Sequence, residues 1–291
     1  MRNPLHLFRH LDRYFNQVEF RCRMESLVEQ ILHDTTPGVT DERHGPHDII
    51  VSLTTTPRRL FDVPLAIESL MQQTLRANLI ILWLDHETMW QPFPEALKRQ
   101  QARGLEIREC DNLRSYKKLI PSLREFPDAA VITVDDDHLY DFDLIERLVK
   151  GHQKRHEAIL ATRIHRIMRR SDGSALPYHK WKLRVDNVAD PRDLFFTTGA
   201  GVLLPPRSLP EETLDSETFM AICPTADDVW FNAMARLGGS QVVKIATRDS
   251  HGEDYIVNPH VQDESLSDVN FGPGGANTRQ YREVFSRFKL L

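Results

Sequence analysis

The feature that most restricts this chain is a succession of short apolar runs with almost no polar interruption. Ile49–Leu53 (IIVSL), Leu79–Leu84 (LIILWL) and Ala129–Val134 (AAVITV) alternate with stretches of helical spacing at Pro64–Gln73, Pro94–Arg103 and Tyr116–Phe126. A strand with one wet face alternates apolar and polar residues, whereas a strand covered on both faces reads as a continuous apolar run. The pattern therefore predicts an α/β fold with a mostly parallel central sheet, helices on both faces and right-handed crossovers. Leu105–Cys110, Ala158–Thr162 and Gln241–Ala246 extend the strand series, and Phe142–His156 and Thr225–Leu237 extend the helices. No internal repeat is evident.

The third run ends in Asp135-Asp136-Asp137-His138. Open α/β sheets build ligand crevices outside the carboxyl ends of their strands. Three adjacent carboxylates repel one another unless a cation or several donors hold them. A hard divalent cation with oxygen ligands, Mg²⁺ or Mn²⁺, would answer that, usually together with substrate phosphates. A solvated acidic turn is the other reading of the same residues. Further candidate groups stand at other strand and helix ends: Thr54–Thr56, Asp85, the Gly199-Ala200-Gly201 turn within Leu194–Leu204, and Asp227-Asp228 at a helix start. Acids this far apart in sequence can meet on one sheet rim, one set holding a metal and another accepting a proton.

Arg163–Arg184 carries Arg163, Arg166, Arg169, Arg170, Lys180, Lys182 and Arg184 against the single acid Asp172, interleaved with Tyr178 and Trp181. Such a segment can hold phosphates or an anionic acceptor, with aromatic faces for sugar rings; it can equally be a solvated loop. Residues 1–33 place Leu7, Leu11, Tyr14, Phe15, Val18, Leu27, Val28, Ile31 and Leu32 at helical intervals among arginines, as one amphipathic helix or two. A basic helix of this kind lies on an anionic membrane surface or packs on its own domain or a second copy. The expected division is a helical extension and linker over 1–46, a central domain over 47–255 and a C-terminal tail over 256–291 packing near the site.

A net charge of -5 argues against nucleic acid as the partner. Cys22, Cys110 and Cys223 have no paired spacing, which suits free thiols in a reducing compartment. No apolar run approaches the roughly 20 residues a bilayer span needs, and the expected location is cytoplasmic.

The ordered segments VSLTTTPRR, ESLMQQT, ILWLD, SYKKLIPSL, VITVDDDHLY, GAGVLLPP and PTADDVWF, over roughly residues 48–250, resemble a family 2-type glycosyltransferase of GT-A fold, in the non-processive bacterial branch associated with capsule and lipopolysaccharide sugars. The resemblance implies that Thr54 and Thr55 hold the nucleotide of a UDP-sugar donor, and that Asp85 contacts the base. It puts Asp135 near the ribose and Asp137 on a Mn²⁺ or Mg²⁺ ion that bridges the diphosphate. Asp136 contributes to either role, and Lys117 or Lys118 approaches the diphosphate or base. Asp227 and Asp228 stand beside a saccharide or lipid-linked acceptor, with Asp228 the favoured general base. Gly199, Ala200, Gly201 and Trp181 fall on the acceptor side, and His251 is a candidate further metal ligand. There is no Q-x-x-R-W motif and no transmembrane helix, both expected of processive synthases, which favours one sugar transferred per acceptor encounter. A single direct displacement, with a carboxylate taking the hydroxyl proton, would invert the anomeric centre. Two rival readings are a non-catalytic nucleotide-sugar scaffold and a metal-dependent phosphohydrolase. Asp135-Asp136-Asp137-His138-Leu139 fits the hydrolase pattern poorly and comes late in the chain.

Overall fold

The computed structural model describes residues 4–247, 255–261, 270 and 275–291, with side chains in the first helix from Gln17 onward. The central sheet contains β1 (Ile49–Thr54), β2 (Leu79–Asp85), β3 (Leu105–Cys110), β4 (Ala130–Val134), β6 (Ile159–Ala161), β9 (Ala200–Leu204) and β10 (Val242–Lys244). Their order is β10-β6-β9-β4-β1-β2-β3. Neighbours run parallel except at β9, which is antiparallel to both β4 and β6. The architecture is thus mixed α/β with a mainly parallel sheet, as the apolar runs predict, and is consistent with the expected GT-A fold.

The runs lack alternation because both faces are covered. Along β4, Val131 joins one core with Phe219 of α7 (Ser216–Ile222), Phe231 and Ala233 of α8 (Asp227–Leu237) and Phe285 of the C-terminal helix (Ala276–Arg287). Its neighbours Ala130, Ile132 and Val134 join the opposite core with α2 (Val63–Met71) and α6 (Leu144–Lys154). Successive side chains of a strand point to opposite faces, so β4 is apolar on both sides except at Thr133, whose hydroxyl donates to the Thr198 carbonyl at 3.0 Å. All five are buried.

Residues 4–33 form one helix, α1 (Pro4–His33). Phe20, Leu27 and Ile31 are buried, and Phe20 and Leu27 share a cluster with Met24, Leu65 and Ile256. Spacing of four, three and four residues puts Phe20, Met24, Leu27 and Ile31 on one stripe. Val18, Val28 and Leu32 remain exposed. Leu7, Leu11, Tyr14 and Phe15 lie outside the described side chains. Among the described residues no helix is long and apolar enough to cross a membrane.

The segment after α1 is tied down by charge. Glu68 of α2 is fully buried and accepts from Arg103 Nη1 with both oxygens, each at 2.9 Å. Gln100 of α4 (Glu95–Ala102) donates to the same carboxylate at 3.1 Å. Arg103 continues to Asp34 at 3.2 Å and to the Thr36 carbonyl at 2.9 Å. A buried charge is tolerable only when paired and hydrogen-bonded, and this chain of contacts meets that condition.

Four short strands complete the topology. β5 (His138–Tyr140), directly after the acids, pairs antiparallel with β11 (Tyr255–Val257). β7 (Ile164–Arg166) pairs with β8 (Leu194–Phe196). The apolar run at 194–204 is therefore two strands in different sheets, broken at Thr197–Gly199. The expected Tyr116–Phe126 helix also divides, into a 3₁₀ turn (Arg114–Lys118) and α5 (Ile120–Glu125), with Pro121 in the first turn of α5.

Candidate active site

Parallel strands deliver their carboxyl ends to one rim, so the residues following β1, β2 and β4 converge. β9 runs the other way and brings its start to the same rim: Ala200 stands opposite Val134, across a register shift after Thr133. This reversal carries Thr198 and Gly199 to the acids.

Beside the ends of β1 and β2, Thr54 Oγ1 donates to the Trp83 carbonyl at 2.7 Å, and Thr55 Oγ1 donates to Asp136 Oδ2 at 2.5 Å. Asp85 caps α3 (His86–Met89), its Oδ1 accepting from the Thr88 amide at 3.0 Å and hydroxyl at 2.7 Å. Its Oδ2 pairs with Lys117. Burial alone would raise the Asp85 carboxyl; Lys117 and Thr88 outweigh it and hold the group below its ordinary range. The 3₁₀ turn is what turns both Lys117 and Lys118 inward, where each is buried.

Lys118 Nζ joins the two acid sets, at 2.6 Å from Asp135 Oδ1 and 3.2 Å from Asp227 Oδ2. Burial works against its charge, but Asp135, Asp227 and Asp228 together hold its pKa above the usual lysine value. For Asp135, burial pushes upward and Lys118 and His138 pull harder downward, to about 2. Asp136 goes the other way: burial and the neighbouring Asp137 and Asp135 raise it to about 6 despite Arg59 and Thr55. Asp135 and Asp136 are thus shifted in opposite directions, each following its own contacts.

Asp135, Asp137 and His138 can each aim one ligand atom into a common space, all within 4.8 Å of one another. Ligand atoms of one first-row cation stand about 2.0–2.6 Å from it, so this set fits a single divalent ion. Two carboxylates with one imidazole suit Mn²⁺ at least as well as Mg²⁺. His251, expected in this role, lies outside the described residues. His138 was legible only as the residue next to the acids.

Gly199 and Tyr140 shape the floor. The Asp135 amide donates to Tyr140 Oη at 2.6 Å, and that hydroxyl donates to the Gly199 carbonyl at 2.6 Å. A Cβ on Gly199 would overlap Asp135 Oδ2 and Cγ, so the missing side chain is the room in which that carboxylate stands.

On the far side of the same turn, the Thr198 amide and hydroxyl donate to Asp228 Oδ1 at 2.9 and 2.7 Å. Asp227 is buried and faces Lys118. Asp228 is half-buried, and burial followed by repulsion from Asp227 raises its carboxyl to about 6. Two carboxylates at one helix start therefore differ in what they do. Asp227 holds the lysine, and Asp228 is oriented by a turn that also contacts Asp135.

Three expectations need correction. Trp181 is buried, donates Nε1–H to the Leu176 carbonyl at 2.8 Å and packs on Tyr178, Phe195 and Tyr281; it presents no face to a sugar. Gly201, with φ +103°, would direct a Cβ at Leu144 of α6 and not at an acceptor. Ala200 is a strand residue, 1% exposed, so the Gly199-Ala200-Gly201 stretch reaches the site only at Gly199. The basic segment divides: Arg163, Arg169 and Arg170 bond to Thr197, Asp193 and Ser174, while Arg166, Lys180, Lys182 and Arg184 are exposed.

Sequence reasoning passed over Arg59. Its Nη1 donates to Asp136 Oδ1 at 2.9 Å and to Asp137 Oδ2 at 3.2 Å, and its Nη2 donates to the Val261 carbonyl at 2.9 Å. The only signal was the basic pair Arg58-Arg59 ending the first-strand loop.

No family model and no curated protein matches the chain. Among solved structures it is similar to the crystal structure of S. aureus TarS 1-349 in complex with UDP, with 13% identity and a TM-score of 0.46. That match covers 72% of this chain and 59% of the other, so the chain spans less than two thirds of its neighbour's length. At this identity the likeness assigns no residue a role.

Proposed function

We propose that this chain is an inverting, divalent-metal-dependent glycosyltransferase. It would move a sugar from a UDP-sugar to a hydroxyl of a saccharide or lipid-linked acceptor in bacterial surface polysaccharide synthesis. The donor class and the pathway rest on the ordered motif series in the sequence. The observation that carries the reaction type is the Thr198-Gly199 turn, which holds Asp228 on one side and makes room for Asp135 on the other.

Transfer forms a bond between the acceptor oxygen and the anomeric carbon as the bond to the diphosphate oxygen breaks. The electron pair leaves with the nucleoside diphosphate, and the hydroxyl proton goes to a carboxylate on the opposite face. Asp228 suits that proton transfer. Thr198 fixes one of its oxygens, and a pKa of about 6 leaves the group ionised at neutral pH yet basic enough to accept a proton. One displacement without a covalent intermediate inverts the anomeric centre. Asp135, Asp137 and His138 would hold the cation, which when bound offsets charge on the leaving diphosphate as a Lewis acid. Lys118 keeps Asp135 ionised and fixes its distance from Asp227. Asp85, fully engaged by Lys117 and Thr88, would meet a base only at the edge of that pair.

The test is turnover of UDP-sugars with Mn²⁺, with and without saccharide acceptors. Acceptor-dependent release of UDP, lost in Asp228→Asn while UDP still binds, is the expected result. Release of phosphate from the donor without an acceptor, or full transfer by Asp228→Asn, would overturn the assignment.

A further inference from the structure

Arg59 is, after Lys118, a second cation paired with the acid triad, and no step above uses it. Its guanidinium bridges Asp136 and Asp137 and reaches the Val261 carbonyl on the segment that follows β11. Asp137 is also a member of the cluster that fits a divalent ion. One carboxylate therefore serves two positive groups. His138 Nδ1 faces Asp137 Oδ1 at 3.5 Å while Arg59 faces Oδ2, so the two claims come from opposite sides. Charges a few ångströms apart in a half-buried site repel strongly, because water screens them poorly.

We propose that Arg59 is a displaceable internal counter-ion: it competes with the divalent cation for Asp137 and, once released, clamps the diphosphate of the donor. This rests on the reading of the site given above. The physical case has two parts. Without a metal, three adjacent carboxylates need compensation, and Arg59 supplies it to Asp136 and Asp137 as Lys118 does to Asp135. With a metal, positive charge near Asp137 is in excess until an anion arrives. The guanidinium is a planar fork of N–H donors that matches phosphate oxygens in pairs, and its anchor in the Pro57–Arg59 turn lies just beyond the Thr54–Thr55 stretch. The bond to Val261 extends the exchange to the C-terminal segment. There the Asn258 amide also donates to the Asp137 carbonyl at 2.8 Å, so withdrawal of Arg59 removes one of the ties between that segment and the acid loop.

Competition and clamping predict changes of opposite sign in one variant. In Arg59→Ala, Mn²⁺ without nucleotide should bind more tightly, by roughly tenfold, the equivalent of about 1.4 kcal/mol. UDP at saturating Mn²⁺ should bind at least about tenfold more weakly. The free-Mn²⁺ paramagnetic resonance signal reads the first and titration calorimetry reads the second. Arg59→Lys keeps the charge without the fork; its Mn²⁺ affinity should stay within about threefold of the unmodified chain while UDP binding weakens. A merely structural arginine would weaken both ligands together on substitution. Unchanged or weaker Mn²⁺ binding in Arg59→Ala overturns the proposal, and so does unchanged UDP binding. If the unmodified chain binds neither Mn²⁺ nor UDP, the reading of the site fails and the proposal with it; if it binds both, only the proposal is at stake.

Discussion

Replacing Gly199 by alanine isolates the link between the reversed strand and the acid cluster. A Cβ built there overlaps Asp135 Oδ2 and Cγ, and even the farther oxygen Oδ1 is at 3.0 Å. The nearest atom falls more than ~1 Å short of the 3.0 Å that real Cβ contacts keep. Asp135 has little freedom to yield, because Lys118 holds its Oδ1 at 2.6 Å and Tyr140 holds its amide at 2.6 Å. The carboxylate therefore rotates off its position or the turn shifts, which also moves Thr198 and with it Asp228. A displacement on the order of 1 Å at a reacting group lowers rate by about 100-fold, or roughly 2.7 kcal/mol of barrier. The assay compares kcat for acceptor-dependent UDP release with thermal unfolding of the same preparation. A Gly199→Ala chain that folds normally and turns over within about threefold of the unmodified enzyme would refute the claim that this glycine exists to seat Asp135.

Gly201→Ala should do the reverse. Its φ of +103° and the Leu144 Cδ1 at 2.8 Å from a built Cβ predict a loss of about 1–3 kcal/mol in denaturant unfolding, with UDP affinity of the folded fraction retained. If Asp228 is the base as proposed, the rate should fall about tenfold per pH unit below about 6, as its protonation removes the acceptor, and stay level above it. Thr198→Val removes a hydrogen bond that favours the charged form, so the same limb should move to higher pH, by roughly one unit. Glu68→Ala leaves Arg103 buried without its main partner and should cost about 3–5 kcal/mol of stability by urea titration; a loss near zero would show that the 34–36 segment is not held by this pair.

Ile49–Leu53 and Leu79–Leu84 were legible because burial on both faces leaves an unbroken apolar signature, and each stops one residue short of β1 and β2; Leu105–Cys110 matches β3 at both ends although that edge strand is partly exposed and interrupted by charged residues. Direction leaves no such mark. Nothing in Ala200–Leu204 says that it runs against its neighbours, and β5, β7 and β11 are too short, at three residues each, for any period to register. The acids were visible by type, but their partners were not. Trp181 read as a face for a sugar ring because basic residues surround it in sequence, whereas Phe195 and Tyr281 pack on it from elsewhere in the chain. Arg59 went unread because its contacts with Asp136, Asp137 and Val261 are all distant in sequence.

The reversed strand also sets a schedule for biosynthesis. As the chain emerges, β1 through β4 can assemble by local crossovers, each new strand finding a neighbour already made. β4 then waits with one hydrogen-bonding edge open until β9 arrives from beyond residue 199. An apolar strand with an open edge is a template for joining another chain. The nascent domain is thus open to misassembly while its acid loop exists and Asp228, still further along the chain, has yet to be made.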